Sequence, residues 1–421
     1  MNASFRERAS ALDQADELAH FRSRFFDPQP ELIYLDGNSL GRLSTGVSGR
    51  VQETVEAQWG TRLIRAWNEG WWDTPVRIGE QIAQLVGAAP GQVVVTDQTS
   101  VNLFKLGTAA LRLQPDRTKI ITDTLNFPSD LYVLQGIADL LGGHRVVRSG
   151  SQDGDITPDL AALEAGIDGD TALVSLSHVT FKSGYLYDMQ HVTALAHRKG
   201  ALVLWDLCHS VGAVPIELDR CDVDFAVGCT YKYLNGGPGS PAFLYVNQRL
   251  QDKAISPIWG WHGQTDPFAF GLDYEPGPGV RRFLGGTAPM LSMNALKAGL
   301  QPTLEAGMKA LRRKSVGLTD FAIEIADTML APLGFTLGTP RDAARRSSHV
   351  SLRHPDGYRI NRALIEDMQV IPDFRSPDNL RLGFAPLYTS YTDIWTGLDR
   401  LRRVVEERLY EKYPLQRMAV T

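Results

Sequence analysis

Lys232 closes the apolar run Val223-Asp224-Phe225-Ala226-Val227-Gly228 through Cys229-Thr230-Tyr231, just before the turn sequence Asn235-Gly236-Gly237-Pro238-Gly239. A lysine at the end of a buried strand loses its charge readily on desolvation, and an uncharged amine can condense with an aldehyde such as that of pyridoxal phosphate. Asp206 ends a second apolar run, Ala201-Leu202-Val203-Leu204-Trp205. A carboxylate at the carboxyl end of a strand, where ligands collect in open α/β sheets, can keep the pyridine nitrogen of that cofactor protonated and so preserve its pull on electrons. An Asp after a strand is also a common helix cap, so Asp206 by itself names no chemistry.

Thr99 and Ser100 lie between the run Val93-Val94-Val95 and a predicted helix. Their hydroxyls and the first helix amides can receive a phosphate dianion. A plain N-cap uses the same geometry, and the sequence alone does not separate the two.

The elements that must position these residues are those of an α/β fold. Short β-branched runs alternate with segments of helical period, the pattern of a mostly parallel sheet sandwiched by helices. Seven strands are predicted, at 92–96, 119–122, 144–148, 172–176, 201–206, 223–227 and 242–246. Between them, 188–199 reads as a helix with Asp188 as cap and Gly200 as stop, and 129–141 as another ended by Gly142-Gly143. After Pro302 the texture changes to a charged amphipathic helix (310–330), strands near 348–352 and 380–384, and a final helix over 392–410. A large domain over 51–300 and a smaller α+β domain over 301–421 are therefore expected.

Composition narrows the class. The 421 residues carry a net charge of −5 with no basic block, which argues against a nucleic-acid partner. No stretch approaches the roughly 20 apolar residues of a membrane span, and the N-terminus lacks an apolar signal core, so no membrane and a cytoplasmic location are expected. Cys208, Cys221 and Cys229 are odd in number and have no metal-like spacing, which suits reduced structural thiols. The nine histidines form no ligand-spaced set, His191 and His197 reading as helix-surface residues, and no metal is expected.

Taken together, a series of segments resembles the kynureninase family, pyridoxal-phosphate hydrolases of fold type I in the class V aminotransferase group. They are Tyr34-Leu35-Asp36-Gly37-Asn38-Ser39-Leu40-Gly41, Asn126-Phe127-Pro128-Ser129-Asp130, Lys182-Ser183-Gly184, Asp206-Leu207-Cys208-His209, Tyr231-Lys232-Tyr233-Leu234-Asn235, Gly260-Trp261-His262-Gly263 and Asn379-Leu380-Arg381. Single members are weak, but their order and spacing are specific. The resemblance implies hydrolysis of the Cβ–Cγ bond of L-kynurenine to anthranilate and L-alanine. It also implies a homodimer with shared active sites, a large domain holding the cofactor, and an N-terminal segment (1–50) that packs with the small domain.

The same resemblance assigns roles. Phe127 would stack on the pyridine and Asp130 would lie near its edge, with Pro128, Ser129 and Ser183 at the cofactor; otherwise Phe127 and Asp130 merely begin a helix. His209 would line the cofactor site. Cys208 departs from the small alanine common there and reads as an apolar filler rather than a nucleophile. Lys232 would remove the α-proton, while Tyr231 would reach the phosphate and protonate the β-carbon. Trp261 and Thr287 would contact the phosphate from the neighbouring subunit, Trp261 being otherwise a core aromatic. Arg381 would grip the substrate α-carboxylate with its planar fork, a surface arginine being the plain alternative. Asn38 and Ser39 would reach the same pocket, although turn formation explains them equally. Trp67, Gly286 and Thr287 resemble the bacterial pattern, which implies preference for kynurenine over 3-hydroxykynurenine.

Other readings share the scaffold. Asp206 and Lys232 would also serve an aminotransferase or a cysteine desulfurase. Against the desulfurase, Cys229-Thr230-Tyr231-Lys232 replaces the Ser-x-His-Lys of that group, and no cysteine follows Cys229. A non-catalytic binding protein of the same fold would have no need to keep Lys232, Asp206, Tyr231 and Arg381 together.

Overall fold

The computed structural model describes residues 2–416. The seven expected runs form one sheet: β1 (Val93–Val95), β2 (Lys119–Asp123), β3 (Arg145–Ser149), β4 (Thr171–Ser177), β5 (Leu202–Asp206), β6 (Phe225–Gly228) and β7 (Phe243–Val246), in the order β1-β7-β6-β5-β4-β2-β3. β7 is antiparallel to β1 and β6, and the remaining pairings are parallel. β1, β2, β4, β6 and β7 are buried along their whole length. That explains their continuous apolar runs, since helices cover both faces and no solvent-facing row is needed. The edge strand β3 is largely exposed and carries Arg145 and Arg148, charges that discourage pairing with another chain.

Helices α1 (Thr99–Arg112) and α2 (Pro128–Leu141) cover one face of the sheet with a core that includes Leu106, Ile137 and Phe225. Helices Thr74–Val86, α3 (Met189–Arg198) and Met290–Gly299 cover the other, around Trp205 and Tyr245. Each such fully buried apolar side chain contributes about 1.5–3 kcal/mol. The expected signals operate at the helix ends. Asp188 accepts from the His191 amide to start α3, and Gly142 with Gly143 adopt positive φ after α2. α2 begins one residue before its expected start, because Pro128 suits the first helical position.

A second, antiparallel sheet follows: β8 (Thr336–Leu337), β9 (His349–Arg353), β10 (Asp373–Arg375) and β11 (Asn379–Gly383), ordered β10-β11-β9-β8. Helices Met308–Ile325, Gly357–Met368 and Tyr391–Glu406 pack on it around a separate hydrophobic core. Phe5 and Ala9 of the helix Asn2–Gln14 enter that core, and Ile33–Tyr34 pairs with Val370–Ile371. Two helix expectations need correction. The 310–330 helix is α-helical only to Ile325 and widens over Ala326–Leu330. The 392–410 helix ends at Glu406, because Arg408 turns into the left-handed region at φ 54°. Its start, by contrast, is a full capping box of Ser390 and Asp393.

Candidate active site

The parallel register of β5 and β6 sets Asp206 opposite Val227, so the segments that follow leave the sheet side by side at its carboxyl edge. This is why His209 and Lys232 meet: Lys232 Nζ stands 2.8 Å from His209 Nε2. Burial, and next the charge of Lys232, hold the His209 ring well below its usual range, so it is neutral and can accept from the ammonium. Its Nδ1 is buried without a protein partner among the described residues. Tyr231 turns its ring towards Lys232, whose Nζ lies 5.8 Å from the ring centre. The Cys229 sulfur, followed by burial, pushes the Tyr231 phenol up, so it keeps its proton.

Asp206 is buried and does part of what a cap would do, accepting from the Cys208 amide at 2.8 Å. It also shares a hydrogen bond with Asp130, which the first turn of α2 delivers to it. Burial, and then the nearness of Asp206, raise the Asp130 carboxyl well above the ordinary range. Asp130 is thus the member of the pair that keeps its proton. Cys208 lies beneath, its Sγ 3.6 Å from Thr99 Oγ1 and its thiol pushed well up by burial, as a filler and not a nucleophile.

The N-termini of α1 and α2 converge, Ser100 Oγ lying 3.0 Å from Ser129 Oγ. Neither N-cap residue, Gln98 or Phe127, caps its helix through a side chain, which leaves the first-turn amides of α1 to an anion, while in α2 Pro128 has no N–H and the Asp130 amide donates to the Phe127 carbonyl at 2.9 Å. Asp97, at φ 47°, turns the chain into α1 and is pinned by an ion pair to the buried Lys105. Ser39, Gln98, Thr99, Ser100 and Tyr231 line a cavity of about 480 Å³ here. An amine, a carboxyl pair, two uncapped helix N-termini with hydroxyls, and a cavity of this size fit pyridoxal phosphate.

The N-terminal segment closes this site. Gly41 donates to the Tyr231 carbonyl at 2.8 Å, and a β-carbon there would collide with the Lys232 carbonyl. Asn38, fully buried, donates to Asp36 at 3.2 Å and accepts from Arg381 Nε at 3.0 Å. Arg381 donates further to the Phe181 carbonyl (2.6 Å), Ser39 Oγ (2.8 Å) and Asp373. Asp36 is pushed up to about 6 by burial and then by Asp373.

Other expected residues stand apart. Phe127 is half-exposed and meets Phe181 edge-on at 5.3 Å, and Pro128 lines a smaller cavity with Phe181 and Lys182. Ser183 is engaged in its own turn, 2.8 Å from Thr180 Oγ1. Trp67 and Trp261 pack together at 5.5 Å in an aromatic group with Trp72 and His262. Gly286 and Thr287 line an adjoining cavity that shares Gln98 and Gly239 with the first. Sequence reasoning missed Asp36, His349, whose ring meets His209 edge-on at 5.8 Å, Asp373, and Arg375, whose Nη2 stands 2.9 Å from Asp373 Oδ2. The last two had a legible signal, as Asp373-Phe374-Arg375 alternates polar, apolar, polar at strand period around a buried Phe374.

The chain is 46% identical over 411 residues to Kynureninase of Pseudomonas fluorescens, covering 96% of this chain and 97% of that one. It is 44% identical over 406 residues to Kynureninase of Burkholderia pseudomallei (strain 1106a), covering 95% of each. Residues 311–401 match the Kynureninase C-terminal domain family, and residues 61–217 match the DegT/DnrJ/EryC1/StrS aminotransferase family. In fold it is similar to an apo cysteine desulfurase from Thermococcus onnurineus NA1, with TM-score 0.76 and 21% identity over 90% of this chain and 95% of that one. A cysteine desulfurase from Escherichia coli gives TM-score 0.76 and 20% identity over 92% and 99% of the two chains. At such identities the likeness shows the fold.

Proposed function

This chain belongs to the kynureninase family, and from that premise we propose how its own residues perform the hydrolysis of L-kynurenine to anthranilate and L-alanine. The enzyme is a hydrolase of carbon–carbon bonds with pyridoxal phosphate as cofactor. When bound, that cofactor draws electrons from the substrate α-carbon, which acidifies its proton and lets the β,γ-bond part. Thr99, Ser100 and the first amides of α1 bind the phosphate. Asp206, backed by Asp130, would hold the pyridine ring and help it keep its proton. Lys232 Nζ takes the α-proton, with His209 Nε2 orienting the amine between proton transfers. Water adds to the γ-carbonyl carbon and supplies the new carboxylate oxygen of anthranilate, Tyr231 Oη gives a proton to the β-carbon as the bond between them parts, and Arg381 holds the α-carboxylate beside Ser39 and Asn38.

The observation that carries this reading is the meeting of Lys232, His209 and Asp206 beyond the ends of the adjacent parallel strands β5 and β6, with Asp130 brought to Asp206 by the first turn of α2. Anthranilate fluorescence on adding L-kynurenine, with no keto-acid acceptor, tests the reaction, since an aminotransferase needs the acceptor. Borohydride reduction with cofactor present tests the site: label on any lysine but Lys232 overturns it.

Residues 51–300 are read as the cofactor-binding domain, and 301–421 with 1–50 as the small one, a division supported by their separate hydrophobic cores. A homodimer with shared sites is supported by two facts. Trp261 and Thr287 line cavities other than the one that holds Tyr231, as residues that serve a neighbouring subunit's site would. The loop beside Trp261 presents Phe270 at 81% and Leu272 at 101% exposure, an apolar surface of the kind that interfaces cover. Sedimentation as a monomer at assay concentration would contradict it. A cytoplasmic location suits three free cysteines. Preference for kynurenine over 3-hydroxykynurenine follows from the apolar Trp67 group; a higher kcat/KM for the hydroxylated substrate overturns it.

A further inference from the structure

A guanidinium has five N–H donors, and Arg381 has already committed four of them. Nε reaches Asn38, Nη1 the Phe181 carbonyl, and Nη2 both Ser39 and Asp373. One N–H, on Nη1, has no protein partner among the described residues. A carboxylate held by two parallel bonds needs two donors on one edge, so Arg381 can supply only half of that grip while its own support stays intact.

The missing donors are close. Arg375 lies two residues beyond Asp373 on β10 and therefore on the same face of the strand. Its Nη2 is 2.9 Å from Asp373 Oδ2, the oxygen that also receives Arg381 and lies 3.4 Å from Ser39 Oγ. Its Nε is buried without a partner among the described residues, and its side chain keeps 35% exposure. The Asp373 oxygen that it shares with Arg381 and Ser39 places it at the rim of the same site. Asp373 thus holds two guanidiniums with their planes anchored by one carboxylate, Arg381 largely saturated and Arg375 largely not.

We propose that Arg375 is a second substrate-binding arginine, which completes with Arg381 the hold on the α-carboxylate of the amino-acid substrate. Asp373 is the positioning residue that sets the two forks side by side. This rests on the reaction proposed above.

The test compares L-kynurenine with the amine that remains after its decarboxylation, used as a competitive inhibitor of the holoenzyme. Arg375→Gln should raise the KM for L-kynurenine by about 10- to 100-fold, the worth of one or two charge-assisted bonds, with kcat little changed. The Ki of the decarboxylated amine should stay as in the wild type, because it lacks the group that Arg375 binds. Arg375→Lys, keeping charge without the fork, should fall between. A KM within twofold of wild type overturns the proposal, since Ser39 must then yield its place on Arg381. An equal rise in the Ki of the amine overturns it too, by showing a structural role. Wild-type enzyme that forms no anthranilate would instead defeat the underlying reaction, a failure visible before any variant is made.

Discussion

The amine of Lys232 lies 2.8 Å from Nε2 of His209, a ring that burial and the lysine's own charge keep neutral. The two residues come from successive strand ends, β6 and β5, whose parallel pairing sets their separation. A neutral imidazole there accepts from the ammonium and aims its lone pair once the proton has left. His209→Ala should lower kcat by about 10²-fold, at the low end of the worth of a positioned proton-transfer group, and His209→Gln should recover part of it. Equal activity in both variants and wild type, measured by anthranilate release, would remove His209 from the site.

Burial and the nearness of Asp206 raise the Asp130 carboxyl, so the two aspartates should respond differently to amide substitution. Asp130→Asn preserves a neutral donor towards Asp206 and should keep kcat within about tenfold of wild type. Asp206→Asn removes the charge that holds the ring proton and should cost about 10²- to 10⁴-fold. Steady-state kinetics of the two variants decide it: Asp130→Asn as damaging as Asp206→Asn would mean that Asp130 acts as an anion.

Gly41 sits where the N-terminal segment touches the backbone of Tyr231 and Lys232. A β-carbon would meet the Lys232 carbonyl and Asn235, backbone and side chain that cannot both give way. Gly41→Ala should destabilise the fold by about 1–3 kcal/mol, the usual cost of overpacking, and lower the Tm accordingly. It should also reduce kcat, because the displaced carbonyl belongs to the catalytic lysine. A wild-type Tm would show that the segment does not dock.

His178 is buried beside Trp205, and burial holds its ring down to about 4 from an ordinary 6.5. The unfolded chain takes up this proton as the pH falls below about 6.5, while the folded chain refuses it until about 4. The stability associated with neutral His178 is therefore intact above about 6.5 and is lost as the pH falls through that window, on the order of 3 kcal/mol in all. Thermal melts of wild type and His178→Gln between pH 7 and pH 4 should converge as the pH drops. Parallel curves would mean that another group governs acid unfolding.

Much of the architecture is encoded within short windows. The apolar runs that became β5 and β6 end at Asp206 and Lys232, and those ends alone suggested the chemistry. Asp188, Pro128 and Gly142 marked helix ends because capping and left-handed backbone depend on one residue and its immediate neighbours. Arg408, whose left-handed conformation has no such residue-type signal, ended the last helix early and was not legible.

Only the tertiary structure decided who meets whom. Period and composition place a residue on a strand, but the order and register of strands set its partners. Asp373 faces Arg381 because β10 pairs with β11 in that register, and Asp130 reaches Asp206 because α2 follows β2, two strands from β5 in the same sheet. The same holds for Trp67 against Trp261, and for the turn at Gly41 closing over Lys232 from far away in the chain. A linear sequence specifies each end of such a contact by local burial and propensity, whereas the contact itself arises from packing many elements at once.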